Sequence, residues 1–254
     1  DELFGGYPWR YFRAAESRNF ESYIDSYYLY WQRLASNSEL RQLFAPIWDD
    51  VKDVWTRDIF RDVFLSHENE LERPEDYVNH SLYFEAKTFL HGLLVVEDKL
   101  SMAHGLETRV PFLDNDLVDF AMQCPVSLKV DLQSGVKRPD ENALLQKRAF
   151  SREHAPNGKR LLRDSLRTLL GDSVADAKKT GFSSPDESWF RGESVDYVTA
   201  QLRGGSLPSV IFESTAVHSI LGEHVSGSKN RRLMLWSLIH VGQLLRSAEG
   251  LEVS

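Results

Sequence analysis

The chain has 254 residues, 42% hydrophobic and 27% charged, a soluble-globular composition that excludes a disordered or fibrous protein. A net charge of −8 gives no global electrostatic support for non-specific nucleic-acid binding. No apolar run approaches the ~20 residues that span a bilayer, and the single cysteine, Cys124, excludes an internal disulfide framework and points to a reducing compartment, so a cytoplasmic protein is expected.

The chain opens on Asp1-Glu2-Leu3-Phe4-Gly5-Gly6 with neither an initiator Met nor a signal-peptide pattern, and this reads like the middle of a longer protein. From Ser17 to Leu34 the apolar positions Phe20, Tyr23, Ile24, Tyr27, Trp31 and Leu34 share one helical face. Asp49 to Leu65 repeats the pattern with Val51, Val54, Trp55, Ile59 and Val63. Loop signals follow at Glu72-Arg73-Pro74-Glu75, and the apolar stretch Phe89 to Val96 is interrupted by His91 and Gly92. Asp114 stands as a cap before Leu117, Phe120, Ala121 and Cys124, and Pro125 stops that run. Loop signals return between Ser134 and Asp140 and at Ala155-Pro156-Asn157-Gly158. Lys159 to Leu170 is strongly periodic and ends at Gly171, a favourable residue just past a helix. Further loops are signalled at Ser183-Ser184-Pro185 and Gly204-Gly205-Ser206, and Arg231 to Leu245 closes the pattern with Leu233, Trp236, Val241 and Leu244. Alternating strands with hairpin turns are almost absent, so the expected fold is mainly α, and with no repeat and no linker composition residues 1–254 are expected to form a single domain.

Three segments carry chemistry. In Asp1-Glu2-Leu3-Phe4-Gly5-Gly6-Tyr7, two carboxylates precede a glycine pair; hard cations take carboxylate oxygens, and glycine lets a phosphate approach the backbone, so the segment suits Mg²⁺ beside a phosphate. The same residues also suit a solvated turn at a chain terminus. In the run from Val96 to Asp114, the charged residues Glu97, Asp98, Lys99, Glu107 and Arg109 flank a small apolar centre, a setting for an anionic ligand or equally for a structural ion-pair network at a helix junction. In Asp176 to Pro185, the pair Lys178-Lys179 before Thr180-Gly181-Phe182 can present an ammonium to a phosphate, or can be a solvated pair after a helix. Together with the Arg231-Arg232 pair, these lysines are a local basic patch able to hold phosphate. The eight histidines show no metal-ligand spacing, Cys124 reads as core, His104 fits packing or the site equally, and Tyr23, Tyr27, Tyr28 and Tyr30 read as packing.

Taken in order, these segments resemble the synthetase domain of glutamine-dependent asparagine synthetases and their relatives, the β-lactam synthetases included. Asp1 to Tyr7 is similar to the end of the family's Ser-Gly-Glu-Gly-Ala-Asp-Glu-Leu-Phe-Gly-Gly-Tyr motif. Ser101 to Asp114 resembles its Ser-Met-Ala-His-Ser-Leu-Glu-Val-Arg-Val-Pro-Phe-Leu-Asp run. Lys179-Thr180-Gly181-Phe182, with Trp189-Phe190-Arg191-Gly192-Glu193 behind it, resembles the Lys-Gln-Gly-Phe and Trp-Phe-Arg-Gly-Glu segment, and His224 to Trp236 resembles the closing helix region. The resemblance covers nearly the whole chain, and the second motif is highly specific.

The resemblance implies a helical C-terminal part of an α/β adenine-nucleotide hydrolase-like synthetase domain whose parallel sheet is missing from these residues. It implies a two-step amide synthesis with ATP and Mg²⁺: a carboxylate, aspartate in the named family, is adenylated with release of pyrophosphate, then ammonia from glutamine displaces AMP. It implies that Asp1 ligates Mg²⁺ with Glu2 supporting, and that Lys179 binds the phosphates and stabilises charge in both steps. Lys99 and Glu107 would line the acyl-adenylate pocket, while Asp98 and Arg109 hold the motif's shape. Small-molecule substrates, no membrane or nucleic-acid partner, and the homodimers common in the family follow from the same likeness. The sequence departs from the family in several places: the Ser-Gly-Gly-Leu-Asp-Ser nucleotide loop and the glutaminase cysteine are not in these residues, Gly135 to Asn157 is longer than expected, and Gly105 stands where Ser is usual. The chain alone is therefore expected not to turn over. A non-catalytic interaction module, and a related ligase acting on a sugar-acid or peptide carboxylate, are the alternatives.

Overall fold

The structure, a computed structural model, describes residues 1–11, 17–32, 34–65, 73–132, 158–177, 188, 190–205 and 207–248. In chain order the helices are α1 (Pro8–Tyr11), α2 (Phe20–Trp31), α3 (Asn37–Leu43), α4 (Trp48–Val51), α5 (Thr56–Leu65), α6 (Pro74–Phe84), α7 (His91–Ala103), α8 (Asn115–Gln123) and α9 (Val126–Lys129). They continue with α10 (Arg160–Leu170), α11 (Asp172–Ala175), α12 (Val195–Arg203), α13 (Ser214–Val225) and α14 (Arg232–Ala248). Among the described residues the only extended pairing is one antiparallel bridge, Val130 to Gly158. The helical expectation holds for these residues.

The chain packs as two compact units. One comprises Asp1–Tyr30, Thr56–Arg138 and Arg148–Thr180; the other comprises Trp31–Trp55, Pro139–Lys147 and Gly181–Ser254. The first is organised around one long helix. Pro74 sits at its first turn, where a missing N–H costs nothing, and the backbone N–H of Arg73 donates to the Asp76 carboxylate at 2.9 Å. The helix continues from α6 through a π-helical stretch, Glu85–Leu90, directly into α7. A closing motif ends it: Gly105 takes the left-handed conformation (φ +68), its N–H donates to the Met102 carbonyl, and the Leu106 N–H donates back to Ser101. Asp114 caps α8 as expected, accepting from the N–H groups of Asp116 and Leu117.

Aromatic packing holds α2, α5 and α6 together. Tyr23 and Tyr27 meet Phe60 and Phe64 of α5 and Tyr77 and Phe84 of α6, with ring centroids 4.6 Å apart for Phe60–Phe84 and 5.0 Å for Tyr23–Tyr77. Each such pair adds about 0.5–1.5 kcal/mol beyond area burial. The Tyr23 hydroxyl reaches Ser81 Oγ at 2.9 Å, so the tyrosine cluster is packing, as its sequence suggests.

Two expectations fail in detail. The single helix read from Asp49 to Leu65 is two, α4 and α5, and Val54, Trp55 and Ile59 are exposed. The face that turns inward is Phe60 and Phe64, because the larger aromatic pair at i, i+4 finds the rings of α2 and α6. The face assigned to the last helix is also displaced. Met234, Leu235, Leu238 and Ile239 of α14 enter the core, while Trp236 and Leu244 remain exposed. In this second unit those residues pack with Val198 and Leu202 of α12, Val217 and Leu221 of α13, and Leu43 of α3. Ser36 and Glu39 form a reciprocal capping box at the start of α3.

Candidate functional site

The segment Asp1–Tyr7 forms a tight loop in the first unit. The Gly6 N–H donates to the Asp1 carbonyl at 2.7 Å and closes the turn. Gly5 is left-handed (φ +66), and a Cβ there would lie 2.0 Å from Val130 Cγ2, so both conformation and space demand glycine. Gly158, bridged to Val130, leaves no more room: a Cβ on it would stand 2.3 Å from the Gly5 carbonyl oxygen. The next residue, Lys159, is a non-glycine residue in the left-handed region (φ +57), and its N–H donates to the Phe4 carbonyl at 3.1 Å.

Beneath the loop, Leu3 and Phe4 are buried with Ala121 of α8, and Leu113, Leu117, Val118, Leu161 and Leu162 pack against them. Three stretches far apart in sequence thus share one apolar seat: the acidic loop, the end of the second motif with the helix it starts, and the first turn of α10, the helix leading toward the third motif. The carboxylates sit above it. Asp1 is exposed and its Oδ1 pairs with Lys159 Nζ at 2.9 Å. Glu2 is 8% exposed and accepts the Tyr7 hydroxyl at 3.0 Å. Burial pulls the Lys159 ammonium below the usual lysine range; Glu2 opposes this and Arg163 reinforces it. Burial, then the Glu2 charge, pushes the Tyr7 phenol well up, so it remains a donor.

Behind Tyr7 lies a buried ion pair. Arg10 meets Glu85, whose carboxylate also accepts the Tyr27 hydroxyl at 2.7 Å, and Arg10 Nε donates to Tyr30 at 3.1 Å. The Arg10 guanidinium lies over the Tyr7 ring, 3.9 Å from its centroid, and 5.1 Å from that of Phe89. Desolvation, the largest single influence, works to lower the Arg10 pKa, but Glu85 together with Tyr30, Tyr11 and Tyr27 outweighs it and holds the guanidinium above its ordinary value.

The other residues singled out in the sequence lie elsewhere. Glu97, Asp98 and Lys99 are exposed near the end of α7, and Glu107 pairs at the surface with Arg109 at 2.7 Å. Among the described residues no hydrogen bond or ion pair joins Lys99 or Glu107 to the acidic loop. His104 is exposed at the helix end and Cys124 is buried, as a core residue would be. Lys178 and Lys179 lie outside the described residues. Arg231 is not a free phosphate site: it is buried and held by Glu39 and by Glu223 at 2.7 Å. Its carboxylate partners keep it as an internal tie between α3 and the end of α13.

Sequence reasoning missed Lys159, Arg10 and Glu85. Lys159 reads as an ordinary first residue of a helix, though it follows Gly158 where the chain must turn sharply. Glu85 carried a usable signal, being a lone acid directly after the apolar run Leu82-Tyr83-Phe84, of which Leu82 and Phe84 are buried.

The family model described as asparagine synthase matches residues 1–248. Asparagine synthetase (glutamine-hydrolyzing) 1 of Bacillus subtilis is 25% identical over 181 residues, covering 71% of this chain and 25% of that protein. Asparagine synthetase (glutamine-hydrolyzing) 3 of the same organism is 26% identical over 190 residues, covering 68% and 29%. Amidase chry2 of Gibberella zeae is 26% identical over 114 residues, covering 44% and 14%. The chain spans about a quarter of the length of the asparagine synthetases it matches. No solved structure matches.

Proposed function

Because the chain belongs to the asparagine synthase family, we propose that it is the helical C-terminal part of the synthetase domain of an ATP-dependent amide ligase, with both of its units belonging to that one domain. The activity resides in a protein of its relatives' length, in which an α/β nucleotide-binding portion completes the site. The observation that carries this reading is the shared apolar seat of Leu3, Phe4, Leu113, Ala121 and Leu161, which joins the acidic loop to the second motif and to the helix before the third. A second support is the apolar strip Leu93, Val96 and Leu100 on α7, continued by Leu106 and Phe112, all exposed beside the second motif. Such a strip is what a scaffold leaves where the nucleotide-binding portion packs.

The proposed reaction is an adenylation followed by an aminolysis. A carboxylate oxygen attacks the α-phosphorus of ATP, an acyl–O–P bond forms, and pyrophosphate leaves. Ammonia then attacks the acyl carbon, loses a proton, and expels AMP, which keeps the carboxylate oxygen. The chain's own groups serve polyphosphate charge. Lys159, and Lys179 by its motif, supply ammonium groups to phosphate oxygens; Lys99 and Glu107 line the acyl-adenylate side. Asp1 and Glu2 are the residues that would hold Mg²⁺. The loop offers one exposed carboxylate with a buried one behind it; among the described residues no group of three or more His, Cys, Asp or Glu could hold a metal ion, so water and substrate would have to supply the other ligands. Magnesium commonly takes one or two carboxylates and completes its shell with waters and substrate phosphates. When bound, it would neutralise polyphosphate charge.

Titration calorimetry of the 254-residue chain with Mg-ATP should show no micromolar binding; micromolar binding would overturn the division of the site. In the longer protein, given glutamine, Mg-ATP and a panel of carboxylates, AMP and pyrophosphate should appear rather than ADP and phosphate. Lys179→Ala there should abolish synthesis and spare glutamine hydrolysis. A sugar-acid or peptide carboxylate as acceptor is the second reading; the same panel separates the two. The intact Lys99, Glu107, Arg109 and Lys179 argue against a non-catalytic module.

A further inference from the structure

The long helix of the first unit contains two features that stability alone does not account for. One is its π-helical stretch, Glu85–Leu90. Such stretches are rare and recur at functional sites. The other is the ion pair made by the first residue of that stretch: Glu85 has no exposed surface, and Arg10 is nearly as buried. A buried pair of this kind can commonly be replaced by apolar residues with no loss of stability, so its presence calls for another role.

Its neighbours indicate the role. Glu85 and Phe89 both come from the π stretch, and both address Arg10, the first by ion pairing and the second through its ring face. Arg10 in turn lies over the Tyr7 ring, 3.9 Å from its centroid, and Phe89 meets that ring edge-on at 6.2 Å. Tyr7 is thus fixed on two sides with its hydroxyl aimed at Glu2. A phenol free to rotate would give Glu2 no such constraint. The chain of contacts runs Glu85, Arg10, Tyr7, Glu2, with every link inside one unit.

We propose that Arg10 and Glu85 are positioning residues for the acidic loop, acting on the Glu2 carboxylate through Tyr7. The widened turn sets Glu85 and Phe89 where they grip Arg10, and Arg10 carries that position to the loop. That this loop holds a metal rests on the ligase reading; that the pair orders the loop does not.

The test compares amide hydrogen exchange in the 254-residue chain and its variants. The reporters are the Gly6 N–H, which donates to Asp1, and the Lys159 N–H, which donates to Phe4; the Leu235 N–H in the other unit is the control. Replacing the pair by apolar residues of similar size, Arg10→Met with Glu85→Leu, should speed both reporters roughly tenfold, the scale of a desolvated cation–π contact, and leave the control unchanged. Tyr7→Phe should do the same, and combining it with the apolar pair should add nothing further, since all three act through one hydrogen bond. Unchanged reporters, or fully additive effects, would overturn the proposal. If the apolar pair fails to fold, Arg10→Lys gives the same decision: it keeps a cation for Glu85 without the planar guanidinium over Tyr7, and the two reporters should speed several-fold. Parent-like exchange in that variant would also overturn it. A parallel Mn²⁺ titration of the longer protein in the presence of ATP keeps the readings separate: binding that weakens in the variants supports both, while a parent protein that takes no Mn²⁺ counts against the metal site and leaves the exchange result to decide the positioning role.

Discussion

Gly158→Ala probes the clamp on the acidic loop directly. A methyl there would stand 2.3 Å from the Gly5 carbonyl oxygen and 3.1 Å from Pro8 Cδ. The nearest obstacle is backbone, itself held by a left-handed glycine packed on Val130, so it cannot swing aside as a long side chain would. Overpacking of this kind costs about 1–3 kcal/mol. At roughly 2–4 °C per kcal/mol for a chain of this size, Tm should fall by about 2–12 °C. Gly92→Ala is the matched control. It lies in α7 with nothing within 4 Å of its new methyl, so removing a helical glycine should gain about 0.8–1 kcal/mol and raise Tm by about 2–4 °C. Calorimetry on the two variants, with exchange at the Lys159 amide, makes the comparison. A Gly158→Ala chain as stable as its parent, with that amide still protected, would refute the clamp.

Other perturbations separate packing from site. Lys159→Met removes the ammonium paired with Asp1; both partners are about a third exposed, so stability should change by less than about 1 kcal/mol, while polyphosphate-dependent activity of the longer protein should fall steeply in steady-state assays. Tyr23 and Tyr27 have phenols pushed well up by burial, and by the nearby Glu85 charge. Unfolded tyrosine titrates near pH 10, so their contribution is complete below about pH 10 and is lost as pH rises beyond it. The last portion of the phenolate absorbance, that of the buried rings, should therefore appear together with loss of helical ellipticity, not before it. Arg231→Met leaves Glu39 without its cation and Glu223 with Lys229 alone. Those carboxylates are each about a third exposed, so the cost should be about 1–3 kcal/mol, below that of a fully buried pair. In the parent, burial acts to raise both carboxylates, but Ser36 and Arg231 for Glu39, and Lys229 and Arg231 for Glu223, hold them low. Their contribution is present above the ordinary glutamate range and is lost as pH falls below it, a loss that acid denaturation of Arg231→Met should show in reduced size, since Ser36 and Lys229 still act on the two carboxylates.

The helical character of the chain and several of its caps were legible because their signals are local. Asp114 before an amphipathic run and Gly171 after one each act within a few residues, whereas Pro74, read as a loop signal, stands in the first turn of α6. The buried faces of α5 and α14 were not, because both helices carry apolar residues on more than one side. Which side turns inward depends on the neighbours, Tyr23 and Tyr27 for α5 and Leu221 and Leu202 for α14. At the site, Asp1 and Glu2 were readable as a carboxylate pair beside glycines. Lys159 was not, since its role comes from a left-handed backbone and a bridge between segments 28 residues apart, Val130 and Gly158. Arg231 was misread from its charge alone, because Glu39 lies far away in sequence and only folding brings the two together.

The central claim is that the longer protein activates a carboxylate by joining it to AMP. Isotopic transfer tests this: the protein is given aspartate labelled with ¹⁸O in its side-chain carboxylate, Mg-ATP and glutamine, and the AMP released is weighed by mass spectrometry. One labelled oxygen in the AMP phosphate is the predicted result, since AMP leaves with the oxygen that attacked it. Amide formed with unlabelled AMP, or with ADP and labelled phosphate, would contradict it.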